Sequence, residues 1–160
     1  MKNGLKSHSR RWSYSSFLGK NNPLREKYLE ILEKCVRGEI IAYIPYTVIL
    51  GTYHVLVEMF HADKEECRNK IFSLMEAKKI NWIPDISKDK VKRAINHAIY
   101  YNFESWDGYL LSLMEDYDIK TIYTIDEDFK NISKIQVLGL LTKEEKQKLN
   151  NYLTKLKQKR

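Results

Sequence analysis

Three short β-prone runs, Ile40–Ile44, Ile80–Ile83 and Ile119–Thr124, alternate along this chain with stretches whose apolar residues recur at helical spacing. That alternation constrains the fold most, because strands separated by helices pair in parallel through crossover connections. The predicted fold class is therefore α/β: a three-layer α/β/α sandwich around a central, mainly parallel sheet of four to five strands, with Lys134–Leu138 as the last short strand.

The helical stretches are readable one by one. Leu24–Val36 repeats Leu24, Tyr28, Ile31, Leu32 and Cys35 on one face, and Gly38 is its C-terminal stop. Tyr46–Phe60 and Asp63–Lys79 follow, the second with Cys67, Ile71, Leu74 and Met75 inward. Ser87 is expected to cap a helix reaching Tyr101 that turns Val91, Ala94, Ile95, Ala98 and Ile99 to the core. Ser105 or Asp107 opens the next, through Tyr117, and Thr142-Lys143-Glu144-Glu145 is a capping box for a basic C-terminal helix.

At 160 residues, with 43% apolar and 31% charged residues, the chain has the size and make-up of one globular domain. The expected division is a basic N-terminal segment over 1–11, where disorder is anticipated, a domain over 12–141, and the basic helix over 142–160. Ile40–Val57 runs eighteen residues without Asp, Glu, Lys or Arg, but Pro45, Gly51 and His54 interrupt it, so it reads as buried core and not as a membrane span. No apolar stretch of signal-peptide type follows the first basic residues, which predicts a cytoplasmic protein. Cys35 and Cys67 have no Cys or His neighbour at zinc spacing and read as small apolar residues in a reducing compartment.

Charge is unevenly placed. Residues 1–27 carry net +6 and residues 142–160 net +5, which leaves the middle at net −4 within a total of +7. Two basic ends on an acidic body suit a polyanion held by the ends before a carboxylate-bearing cleft. Solubilising tails would give the same composition, and charge alone does not separate the two.

The third β-prone run ends in Asp126 and Asp128, and in α/β proteins ligands gather beyond the carboxyl ends of strands. Asp126 is therefore a candidate metal ligand, against the alternative of an ordinary acidic turn. Asp107 lies at the start of the helix that feeds this strand. Helix and strand run antiparallel in such a unit, so both acids come to one edge; the alternative for Asp107 is an acid that complements the helix dipole.

These residues resemble a PIN domain, the nuclease fold of VapC-type toxins and RNA-processing factors. The resemblance covers roughly Phe17 to Leu140. It is carried by Phe103-Glu104-Ser105-Trp106-Asp107, by Thr121-Ile122-Tyr123-Thr124-Ile125-Asp126-Glu127-Asp128-Phe129, and by Asn21-Asn22-Pro23-Leu24 followed by a helix and Ile41-Ala42-Tyr43-Ile44-Pro45. It implies a divalent-metal-dependent endoribonuclease, with Asp107 and Asp126 as catalytic residues and Asp107, Asp126 and Asp128 holding Mg²⁺ or Mn²⁺. Arg10, Arg11 and Lys130 are the candidate nucleic-acid-binding cations, RNA the substrate, and a small antitoxin protein and a second copy the candidate partners.

The chain departs from the family pattern twice. No acid precedes Glu26, so the aspartate that normally ends the first strand is missing, its place falling near Arg10-Arg11-Trp12. The glutamate expected in the helix after the second strand is replaced by Gly51. Glu58 lies two turns further along, about 10 Å away. An arginine at the first position could pair with Asp107 and Asp126 in place of an ion. A catalytically impaired module that binds RNA or protein is therefore the alternative expectation, with Tyr100, Tyr101 and Trp106 available to stack on unpaired bases.

Overall fold

The computed structural model describes residues 22–58, 60–84 and 86–158. Arg10 and Arg11 lie outside the described residues. Among those described, the chain is mixed α/β, with six α-helices and two short parallel sheets of two strands each. They fall into two compact units: a first unit of residues 22–84 with 141–158, and a second unit of residues 86–140.

In the first unit, helix α1 (Arg25–Arg37) leads to strand β1 (Ala42–Pro45), α2 (Tyr46–Glu58), α3 (Lys64–Met75) and strand β2 (Ile80–Ile83). The C-terminal helix α6 (Lys143–Gln158) belongs to the same unit. Gly38 stops α1 in the left-handed conformation at φ 77°, and the next amide, of Glu39, returns to the Lys34 carbonyl at 2.9 Å, as in a Schellman ending. Asp63 caps α3 by accepting from the Glu66 amide at 2.8 Å. β1 and β2 pair in parallel from Ala42↔Ile80 to Pro45↔Ile83, with α2 and α3 between them. Cys35, Ile44, Ile49, Ile71 and Ile80 form one core cluster, and Leu56, Val57 and Cys67 another. Both cysteines are free and buried.

The capping box at Thr142 forms in both directions. The Thr142 hydroxyl accepts from the Glu145 amide at 3.2 Å, and the Glu145 carboxylate accepts from the Thr142 amide at 2.8 Å. Glu145 also receives Lys27 Nζ at 2.9 Å, which fastens α6 to α1. Among the described residues no helix is long and apolar enough to cross a membrane.

In the second unit, α4 (Lys88–Tyr101) and α5 (Ser105–Asp116) form an antiparallel helical hairpin. Strand β3 (Thr121–Tyr123), a 3₁₀ turn (Asp128–Asn131) and strand β4 (Gln136–Leu138) complete it. β3 and β4 pair in parallel from Thr121↔Gln136 to Tyr123↔Leu138. Ser87 caps α4 as expected, accepting from the Lys90 amide at 3.3 Å. Asn102 ends α4 at φ 55°, a conformation that asparagine tolerates better than most residues.

The rotation of α4 differs from the sequence expectation. Ala94 is buried, but Val91, Ile95 and Ile99 are exposed, Ile99 at 76%. The inner face is set instead by close backbone packing and by charge. A β-carbon on Gly108 would meet the Ala94 carbonyl oxygen at 2.1 Å, so α5 lies directly against the small residues of α4. At the other end of the hairpin Asp116 takes both guanidinium nitrogens of Arg93 at 2.7 Å and the buried Lys90 Nζ at 2.7 Å. Turning the β-branched stripe inward would strand Lys90 away from this carboxylate. A buried charge separated from its partner costs about 3–5 kcal/mol, and the close approach of Gly108 to Ala94 would be lost with it.

Candidate functional site

The turn after β3 is built by its own side chains. Thr124 is buried, and its hydroxyl accepts from the Asp126 amide at 3.0 Å. Asp126 Oδ1 accepts in turn from the Asp128 amide at 2.9 Å, the point where the 3₁₀ turn begins. Short polar side chains that bond a backbone amide two residues on are turn formers by mechanism, and here two are nested in series. The alternating Thr-x-Asp-x-Asp pattern is therefore a structural program in its own right. Phe129, only 1% exposed, seals the turn against the core of the unit.

Asp107 stands in the first turn of α5, 6% exposed, its amide bonded to the Glu104 carbonyl at 3.0 Å. The start of a helix carries the positive end of the helix dipole, which favours a carboxylate there. The N-cap is Glu104 and not Ser105 or Asp107, and its side chain makes no capping bond. Ser112, one turn beyond Gly108, is fully buried and returns its hydroxyl to the Gly108 carbonyl at 3.0 Å.

Packing relates the two acidic positions. The rings of Phe103, just before α5, and Phe129, just after Asp128, lie with centroids 5.3 Å apart. Leu111, one turn along α5 from Asp107, packs in the same cluster as Phe129 and Ile132. The start of α5 and the acidic turn therefore lie at one end of the second unit. Lys130 is half exposed and 3.6 Å from Glu127. Among the described residues no three His, Cys, Asp or Glu side chains gather as a metal-holding group.

The strongest electrostatics of the unit lie elsewhere. Hydrogen bonds from Arg93 and then Lys90 hold the Asp116 carboxyl well below the usual carboxylate range. His97 Nε2 lies 3.0 Å from Glu115 on the same flank of the hairpin. Sequence reasoning missed this flank. Its signal was the basic pair Lys90 and Arg93, one turn apart, facing an acidic helix end across a short hairpin.

No protein-family model matches the chain, and a search of curated proteins returns no match.

Proposed function

We propose that the chain is a PIN-like protein that hydrolyses RNA phosphodiesters with a divalent metal ion, built as a three-layer sandwich on one sheet of four to five strands. Asp107 and Asp126 are the catalytic carboxylates, with Asp128 beside them. The observation that carries this reading is the contact of Phe103 with Phe129, which bridges the helix start and the acidic turn that bear these aspartates.

The donor set suits a hard cation held by one or two carboxylates, with water and substrate phosphate as the remaining ligands. It does not suit a cage of three or more protein groups, among the described residues. The chemistry that Mg²⁺ or Mn²⁺ supplies there is activation of a water and stabilisation of charge on the leaving oxygen. The protein's own part is to hold the two carboxylates still: Asp107 by burial in a helix turn, Asp126 by the bond to the Asp128 amide. Lys130, with Arg10 and Arg11, supplies cations for the RNA backbone. A cytoplasmic setting, a small antitoxin and a second copy as partners belong to the same reading.

A second reading is a PIN-like binding module without catalysis. The exposed rings of Tyr100 and Trp106, on either side of the α4–α5 turn, suit stacking with unpaired bases. Single-turnover cleavage of a structured RNA with Mn²⁺ separates the two. Loss of cleavage in Asp107→Asn and Asp126→Asn supports the enzyme, and equal background in all three proteins supports the binding module.

A further inference from the structure

The first unit contains a half-open cavity of about 630 Å³. Its wall is mostly apolar, with Leu29 and Leu32 of α1 and Leu74 of α3 among its lining. That volume and lining fall in the ordinary range for small-molecule sites, where a few polar groups orient an otherwise apolar ligand.

The charged groups of the wall are Arg25, Lys70 and Glu76. Lys70 is already committed to Glu66 at 2.8 Å. Arg25 reaches the exposed Glu26 through one terminal nitrogen at 3.1 Å, but its Nε is buried and meets no hydrogen-bond acceptor among the described residues. The Arg25 side chain is 33% exposed and keeps its charge in water, but its covered Nε gains a charge-assisted bond from an anionic oxygen that reaches it from the cavity.

From this geometry we propose that the cavity binds a free long-chain monocarboxylate, with its head at Arg25 and its chain among Leu29, Leu32 and Leu74. The apolar wall takes the tail, and the guanidinium edge takes the carboxylate. A neutral lipid would leave the Arg25 donor unmet, and a compact polyanion would leave the apolar wall uncovered.

The test is isothermal titration of the full chain with dodecanoate and with dodecanol. Dodecanoate binds, and dodecanol binds about tenfold more weakly or worse, the ratio expected for one charge-assisted hydrogen bond. Arg25→Gln weakens dodecanoate by a similar factor and leaves dodecanol unchanged. Leu32→Trp narrows the apolar wall and weakens binding of both. Equal affinity for the two probes, no binding of either, or full binding by Leu32→Trp overturns the proposal. Should Leu32→Trp not fold, carbon-13-labelled dodecanoate on the wild-type chain decides: magnetisation transfer to the Leu29 and Leu74 methyls upholds it, and transfer only to methyls of other residues overturns it. Self-association of the chain that dodecanoate does not disturb, and that Leu32→Trp abolishes, would make a second copy the occupant.

Discussion

The backbone of Gly108 lies so close to the Ala94 carbonyl that a β-carbon at position 108 would stand 2.1 Å from that oxygen. Asp107 is the neighbouring residue, so the same contact that joins α4 to α5 also fixes the height of the candidate carboxylate. Gly108→Ala gains about 1 kcal/mol of helix propensity and loses the helix contact, because backbone cannot rotate aside as a side chain can. The expected net result is destabilisation of about 3 kcal/mol or more, read from the midpoint of urea unfolding.

Asp126 has one observed duty in the turn, and the proposed function gives it a second. Its Oδ1 builds the turn, and an asparagine oxygen can accept from the Asp128 amide just as well. Asp126→Asn should therefore keep near-native stability while RNA cleavage falls. Asp126→Ala should lose about 1 kcal/mol in addition, since the turn goes with the side chain. Full RNA cleavage by Asp126→Asn would deny the carboxylate any role beyond the turn.

Asp116 makes a defined contribution to acid stability. Its folded pKa is depressed by Arg93 and Lys90, so its stabilisation is complete above the unfolded value of about 4. As pH falls below about 4 the unfolded state takes up the proton first, and the contribution drains away down to the folded pKa. Asp116→Asn should lower stability by about 1–3 kcal/mol at neutral pH and flatten the acid limb of the stability curve. An unchanged acid limb would refute the assignment.

At the C-terminal helix, Glu145 is held by Lys27 as well as by Thr142, and these bonds depress its carboxyl, the Lys27 bond most. Thr142→Ala removes the cap alone, a loss of about 1 kcal/mol. Glu145→Ala removes the cap partner and the link to α1 together, and the expected loss is larger. Hydrogen exchange of α6 amides ranks the two variants.

Divalent-ion binding has a readout independent of cleavage. A ligand that binds only the folded chain raises its melting temperature in proportion to RT ln(1 + [L]/Kd). Millimolar Mn²⁺ should stabilise the wild type, and Asp107→Asn with Asp126→Asn should abolish that shift. A shift that survives both substitutions would place the ion elsewhere.

Much of the secondary structure was legible because its signals are local. Ser87, Asp63 and Thr142 announce their helices through side chains that reach only three residues, and Gly38 ends one through its own backbone. Pro45 and Pro84 bound strands for the same reason. The face of α4 was not legible. Val91, Ile95 and Ile99 make a regular apolar stripe, but the helix answers to a carbonyl beneath Gly108 and to a carboxylate at Asp116, both distant in sequence.

The candidate site divides along the same line. The sequence left an acidic turn as the alternative to a metal ligand at Asp126, and that turn forms through bonds that each span two residues. That the turn comes to the end of the unit where α5 starts was expected from the antiparallel run of helix and strand, but the contact of Phe103 with Phe129 that joins them follows from no local pattern.

A loop that folds through its own hydroxyl and amide bonds is indifferent to what its acids are later used for. An asparagine at 126 retains the same contour at Thr124 and Asp128, so the outline of the loop does not depend on its charge. The contour belongs to the backbone bonds, and the negative charge is available for another use.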